Sequence, residues 1–125
     1  MKVLLVEDER LISYVIAKII TSLGHTVMAC VPSAEAALAE LEMTRPDFII
    51  LDIRLEGEMD GIQAGLLIKE KWGIPLAFAS AYADEGTRKR AGEASPVAFL
   101  VKPIRRDDLR ELLVLLAKSD PDPSS

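Results

Sequence analysis

Five side chains that could do chemistry together stand at the ends of apolar segments. They are the acids Glu7, Asp8 and Asp52, the hydroxyl of Ser80 and the ammonium group of Lys102. Three crowded carboxylates raise each other's pKa values unless a cation lies among them. Oxygen ligands without His or Cys nearby suit Mg²⁺ rather than Zn²⁺. A lysine and a hydroxyl beside such a metal suit a phosphoryl group, because phosphoryl transfer depends on positioning and charge neutralisation.

Asp52 is the natural nucleophile of this group, since carboxylates form acyl phosphates. An Asp at the end of a strand more often caps the next helix. Here, however, no helical pattern begins after Asp52. The segment from Ile53 to Met59 reads as a loop containing Gly57, and the next periodic apolar run starts near Ile62. We therefore expect Asp52 to be functional rather than a helix cap.

Each of the other residues has an ordinary explanation when it is taken alone. Glu7 could be a solvated loop acid, Ser80 a helix cap and Lys102 a surface lysine. Their joint occurrence at strand ends favours a shared site, because the carboxyl ends of the strands in an open α/β sheet form the crevice where ligands bind.

The segments that carry these residues alternate with helical patterns. Phe48–Asp52 has four consecutive apolar residues, which is typical of a parallel strand covered by helices on both faces. The predicted strands are Val3–Val6, Thr26–Cys30, Phe48–Asp52, Pro75–Ala79 and Val97–Val101. The predicted helices are Arg10–Leu23, a helix from the N-cap Ser33 to Met43, Ile62–Trp72, a weak one within Ala81–Ala94, and Arg106–Lys118. This order predicts an α/β fold with a doubly wound, five-stranded parallel sheet, flavodoxin-like (βα)5, and helices on both faces.

Two of the helices have unusual composition. The segment from Ala77 to Pro96 lacks Leu, Ile, Val and Met and contains Gly86 and Gly92, so the fourth helix should be short. The last helix carries Val114 and Leu115 beside its core positions. This extra apolar surface predicts a protein partner or a second copy of the chain, with a homodimer slightly favoured.

Length and composition set further limits. The 125 residues suffice for one domain, predicted at 1–118, with a Pro-, Asp- and Ser-rich tail at 119–125 that is disordered or begins a linker. A net charge of −5 argues against a direct nucleic-acid partner. No apolar run reaches membrane-spanning length, so we expect a cytoplasmic protein. The single cysteine, Cys30, is expected to be buried and inert, and His25 to be a solvated turn residue.

Five motifs together resemble the receiver domain of two-component response regulators. They are LLVEDE (Leu4–Glu9), FIILDIRL (Phe48–Leu55), MDGI (Met59–Ile62), PLAFASAY (Pro75–Tyr82) and FLVKP (Phe99–Pro103). The resemblance implies that Asp52 is the phosphoacceptor and that Lys102 pairs with the phosphoryl group. It implies Mg²⁺ bound by Glu7, Asp8, Asp52 and the backbone carbonyl of Arg54, a switch formed by Ser80 and Phe99, and a cis peptide bond at Lys102-Pro103.

The chain departs from the family pattern at three places. Glu7 stands where Asp is also common, and the loop Ile53–Asp60 is a residue longer than in chemotaxis-type regulators. The run Phe78–Tyr82 is similar to the Phe-Ala-Thr-x-Tyr signature of some single-domain receivers, with Ser80 in place of Thr. A stand-alone receiver and a piece of a longer protein both stay open.

The function that follows is phosphorelay signalling. A histidine kinase or histidine phosphotransfer protein would phosphorylate Asp52, and the switched face would act on a downstream protein or output domain. The chain would be an enzyme only in its own phosphorylation and dephosphorylation. The alternatives are a receiver-fold scaffold that is never phosphorylated and a hydrolase-type phosphatase. The latter would normally have a second acid where Arg54 stands.

Overall fold

The computed structural model describes residues 1–82 and 84–119 and places strictly alternating strands and helices along them. The strands are β1 (Lys2–Val6), β2 (Thr26–Val31), β3 (Phe48–Asp52), β4 (Leu76–Ser80) and β5 (Ala98–Val101). The helices are α1 (Arg10–Ser22), α2 (Ala34–Met43), α3 (Gly61–Lys71), α4 (Glu85–Gly92) and α5 (Arg106–Ser119). The predicted alternation is confirmed, and α4 is short, as its composition predicted.

All five strands are parallel and form one sheet in the order β2-β1-β3-β4-β5. The predicted doubly wound architecture is therefore confirmed. The central strand β3 lies between β1 and β4, and each of its five residues is buried. Among the described residues, no helix is long and apolar enough to cross a membrane.

The core has two layers because successive residues of a strand point to opposite faces of the sheet. Leu4, Ile49 and Phe78 belong to the layer shared with α2, α3 and α4. Their immediate neighbours Val3, Ile50 and Ala77 belong to the layer shared with α1 and α5. Helices cover the sheet on both faces, so both faces of its strands are buried. This accounts for the unbroken apolar runs of the sequence.

Local signals end and begin several helices where they were predicted. Gly24 follows α1 with a φ of +91°, a conformation that glycine adopts without the steric cost of a side chain. Ser33 caps α2, because its Oγ accepts a hydrogen bond from the backbone N–H of Ala36 at 3.1 Å.

The prediction for Cys30 in β2 is wrong, and the prediction for His25 is right in position but not in full exposure to solvent. Cys30 is exposed rather than buried, because β2 lies at the edge of the sheet and pairs, among the described residues, with β1 alone. His25 lies in the turn after α1 but is half-buried, with its Nδ1 3.3 Å from the amino group of Met1. Burial and the neighbouring amino-terminal charge lower the pKa of His25. Of the predicted tail, Ser119 is the last residue of α5, and 120–125 lie outside the described residues.

Candidate functional site

The sheet brings the five predicted site residues to one edge. Glu7 and Asp8 follow β1, Asp52 and Ser80 end β3 and β4, and Lys102 follows β5. Since β1, β3, β4 and β5 are neighbours in the parallel sheet, their carboxyl ends meet. Carboxylate oxygens of the three acids lie within 4.8 Å of one another. The peptide bond between Lys102 and Pro103 is cis, as the resemblance implied.

Lys102 connects two of the acids. Its Nζ donates hydrogen bonds to Asp52 Oδ2 at 2.8 Å and to Glu7 Oε1 at 2.7 Å. Both acids are buried, each with 5% exposure. Burial alone would lower the pKa of the Lys102 ammonium group, but the hydrogen bonds and charges of Asp52 and Glu7 outweigh it and raise the pKa above its ordinary value. Lys102 therefore stays protonated at neutral pH.

The remaining oxygens of these acids face the backbone. Asp52 Oδ1 accepts a hydrogen bond from the N–H of Arg54 at 3.1 Å, and Glu7 Oε2 accepts one from the N–H of Glu9 at 3.1 Å. These bonds hold both carboxylates in fixed orientations at the floor of the site. The first of these bonds also places the main chain of Arg54 beside the Asp52 carboxylate. The family resemblance implied the backbone carbonyl of Arg54 as a metal ligand.

The cluster is left with an excess of negative charge. Lys102 offsets one of the three carboxylates, and burial followed by the hydrogen bond and charge of Glu7 raises the pKa of Asp8. Within the described residues, the cluster consists of these three acids without His or Cys. A hard divalent cation fits this donor set, since it would bind carboxylate oxygens and relieve the repulsion between the acids.

Ser80 and Phe99 lie on the α4 side of the acids. The buried Ser80 Oγ accepts a hydrogen bond from the N–H of Tyr82 at 3.0 Å. Ser80 follows Ala79, the register partner of Asp52 on the neighbouring strand. Phe99 is half-buried, and the Arg88 guanidinium of α4 lies 4.7 Å from the centre of its ring. Of the predicted switch pair, Ser80 thus lies close to the acids and Phe99 lies against α4.

Gly61 is a positioning residue that sequence reasoning did not identify. Its N–H donates to the carbonyl of Ile53 at 2.8 Å. A Cβ at this position would lie 1.9 Å from the carbonyl oxygen of Asp52, so only glycine allows α3 to begin here. The signal in the sequence was the Asp60-Gly61 pair before the apolar run, in which Asp60 forms a capping box with Gln63.

A cavity of about 750 Å³ opens above the site. Asp8, Asp52, Ser80 and Lys102 lie on its polar side. Its apolar wall comes from α1 and from the loop after β5, and consists of Leu11, Ile12, Val15, Ile16, Pro103 and Ile104. The Arg54 guanidinium stacks 4.0 Å from the Tyr82 ring centre, and this pair separates the cavity from a smaller one of about 380 Å³ toward α4. That stack was also not foreseen, because it joins two loops.

Comparison with known proteins identifies the family. A family model described as the response regulator receiver domain matches residues 3–114. The positive alginate biosynthesis regulatory protein of Pseudomonas aeruginosa is 37% identical over 117 residues, covering 90% of this chain and 46% of that protein. The transcriptional regulatory protein PdtaR of Mycobacterium tuberculosis is 31% identical over 108 residues, covering 86% and 52%. The chain spans about half the length of these curated relatives.

Solved structures agree with this match. The receiver domain of the sensor histidine kinase PA1611 from Pseudomonas aeruginosa, with a magnesium ion coordinated in its active site cleft, has a TM-score of 0.84 at 30% identity, covering 94% of this chain and 98% of that one. The signal receiver domain of a modulated diguanylate cyclase from Desulfovibrio desulfuricans has a TM-score of 0.87 at 29% identity, covering 94% and 93%. The chain belongs to the response regulator receiver domain family of two-component signalling.

Proposed function

We propose that Asp52 accepts a phosphoryl group from a histidine kinase or histidine phosphotransfer protein in a Mg²⁺-dependent reaction. The observation that carries this proposal is the placement of Lys102 between Asp52 and Glu7 inside a cluster of three acids. Membership in the receiver family supports the same reaction. Glu7, Asp8, Asp52 and the carbonyl of Arg54 would hold Mg²⁺, which would supply positive charge for the oxygens of the transferred group.

In the transfer step, a carboxylate oxygen of Asp52 forms a bond to phosphorus. The bond between phosphorus and the donor's histidine nitrogen breaks, and its electron pair returns to the imidazole. Lys102 already lies at the Asp52 carboxylate, so its ammonium group can follow the charge onto the phosphoryl oxygens. Ser80, one residue beyond the register partner of Asp52, supplies a hydroxyl on the α4 side.

The donor that the site suits is a protein. Leu11 and Val15 of α1 are 76% and 47% exposed and line the wall of the cavity next to the acids. Apolar side chains exposed beside a reactive carboxylate suit contact with an apolar surface of the donor. The donor's phosphohistidine would then reach Asp52 through the polar side of the cavity.

The signal would leave through Ser80 and Phe99. A hydrogen bond donated by the Ser80 hydroxyl to a phosphoryl oxygen would draw the end of β4 toward Asp52, and Phe99 would follow on the adjacent strand. The changed face would act on a downstream protein or an output domain. Val114 and Leu115 on α5 are 49% and 54% exposed and give a second copy of the chain an apolar surface for a homodimer.

Intact-mass measurement after incubation with acetyl phosphate tests the transfer. We expect one acid-labile phosphoryl adduct with Mg²⁺ and none when EDTA replaces the metal. Asp52→Asn should remove the adduct. Asp47→Asn should not, because Asp47 is an exposed acid at the opposite end of β3. An adduct of equal yield on the Asp52→Asn protein would refute the site, and its absence from the unaltered protein would favour the scaffold alternative.

A further inference from the structure

Helix α4 is held by little apolar packing. It has eight residues, all described, and only Ala91 of them is buried. Burial of an apolar face is what stabilises most short helices in proteins. The position of α4 must therefore depend strongly on its polar contacts, among which the ion pair between Arg90 Nη2 and Asp60 Oδ2 at 3.1 Å reaches another helix.

Asp60 performs two roles with its two oxygens. Its Oδ1 accepts a hydrogen bond from the backbone N–H of Gln63 at 2.8 Å and so caps α3. Its Oδ2 accepts a hydrogen bond from the Arg90 guanidinium. The side chain of Gln63 accepts a hydrogen bond from the backbone N–H of Asp60 in return at 2.9 Å, which fixes the Asp60 backbone. One carboxylate thereby joins the first turn of α3 to α4.

The first turn of α3 also contacts the end of β3, the strand that carries the phosphoacceptor. The N–H of Gly61 bonds to the carbonyl of Ile53, and the Gly61 Cα lies so close to the Asp52 carbonyl that a Cβ would not fit. A displacement of the main chain at Asp52 and Ile53 must therefore move Gly61, and Asp60 with it. The contacts run without a gap from β3 through α3 to Arg90.

We propose that the Asp60–Arg90 ion pair couples the phosphoacceptor end of β3 to α4, as a connection separate from Ser80 and Phe99. The proposal rests on the proposed function in that the signal is a phosphoryl group on Asp52. Exposed ion pairs change an equilibrium by a factor of no more than about five. For a helix with one buried residue, such a factor is enough to shift the population of its ordered form.

The first test uses amide hydrogen exchange of residues 88–92 in the unmodified protein. Arg90→Gln should speed exchange by about twofold to fivefold. Asp60→Asn should do the same, although Asn still caps α3 as well as Asp does. The double variant should exchange no faster than either single one, because both remove one interaction. The control is Lys89→Gln on the same helix, since Lys89 takes part in none of the ion pairs of the described residues.

Unchanged exchange in Arg90→Gln, or an equal effect of Lys89→Gln, would refute the role of the pair. Additive effects of Asp60→Asn and Arg90→Gln would also refute it, because they would mean that the two side chains act independently. This comparison does not require phosphorylation, so its result stands apart from that of the proposed function.

The second test asks whether the pair carries the signal. Beryllofluoride with Mg²⁺ serves as the phosphoryl mimic, and exchange of residues 88–92 is the readout. A part of the response should survive in Ser80→Ala and disappear in Ser80→Ala with Arg90→Gln. Complete loss in Ser80→Ala alone, or survival in the double variant, would overturn the coupling. If the unaltered protein did not respond, both the coupling and the proposed switching would be refuted, while phosphoryl transfer would still be decided by the mass measurement.

Discussion

At the scale of single residues, Lys102 decides the electrostatics of the site. It is the cation between two buried carboxylates, and its own side chain is only 14% exposed. Such an arrangement is costly to break from one side, because a carboxylate left without its partner stays desolvated. The same lysine therefore stabilises the unmodified site, and we propose that it pairs with the phosphoryl group after transfer to Asp52.

We predict that Lys102→Met destabilises the fold by about 3 kcal/mol at pH 7, as expected when one partner of a buried ion pair is removed. The raised pKa of Lys102 means that its contribution is fully present below pH 10.5 and is lost as the pH rises through the raised value. The difference between the two proteins should therefore narrow in alkaline solution. Urea unfolding across pH measures it, with Lys89→Met as the exposed control. If the difference in the free energy of unfolding grew as the pH rose, it would contradict the role of the Lys102 ammonium group.

Asp8 should have the opposite effect on stability. Its raised pKa means that the folded protein holds the proton more tightly, so ionisation of Asp8 costs stability once the pH exceeds the ordinary value of 3.8. Asp8→Asn should therefore raise the Tm of the metal-free protein at pH 7, where each kcal/mol of added stability corresponds to roughly 4 °C in a domain of this size. At a pH below 3.8 the two proteins should melt alike.

Mg²⁺ provides the complementary measurement on the same pair of proteins. We predict that Mg²⁺ raises the Tm of the unaltered protein, because a ligand that binds the native state and not the unfolded state stabilises the fold by mass action. The rise should be smaller in Asp8→Asn. A lower Tm for Asp8→Asn in EDTA at pH 7 would mean that the three acids do not repel one another.

At the scale of elements, backbone conformation decides whether replacing a glycine stabilises or destabilises the fold. Gly24 and Gly92 both have open space around the position of a Cβ. They differ in that Gly24, after α1, has a φ of +91°, whereas Gly92 is the last residue of α4. The two positions therefore separate the effect of conformation from the effect of packing.

We predict that Gly92→Ala stabilises the protein by up to about 1 kcal/mol, because alanine loses less backbone entropy in a helix. Gly24→Ala should destabilise it by about 1 kcal/mol, since a side chain is strained at positive φ. Chemical unfolding of the two variants gives both values. Equal effects of the same sign would contradict the assigned backbone conformations.

At the scale of the whole molecule, apolar surface is distributed unevenly. Leu11 and Val15 are exposed beside the acids, whereas Val114 and Leu115 are exposed on α5. We propose that the first pair contacts the phosphodonor protein. The second pair lies on a helix that supplies none of the site residues, so it calls for a different occupant.

We predict that α5 forms a homodimer contact. Sedimentation velocity at rising protein concentration should detect association, and Leu115→Glu should weaken it because a charge would enter an apolar contact. Met43→Glu is the control, because Met43 is 87% exposed on α2. A strictly monomeric protein at high concentration, with and without acetyl phosphate, would remove the homodimer and leave a heterologous partner.

Much of this molecule follows from local sequence. An apolar run such as Phe48–Leu51 is sufficient to identify a strand covered on both faces, and the acid at its end predicts the edge of the sheet where the candidate site lies. The helix signals at Gly24 and Ser33 act within a few residues, so they are also readable without the fold. The family motifs span the chain in order and predicted the site residues that the sheet brings together.

The tertiary structure alone decided the properties that depend on which segments become neighbours. Cys30 has the apolar surroundings of a buried residue along the chain, yet β2 lies at the sheet edge and leaves it exposed. Asp60 and Arg90 are separated by 30 residues and meet only because the fold brings the N-cap of α3 within reach of α4. The tight fit of Gly61 on Asp52 likewise depends on where α3 returns to the sheet. Periodicity reports the faces of one element, whereas edge position, long-range ion pairs and backbone contact depend on how the elements pack together.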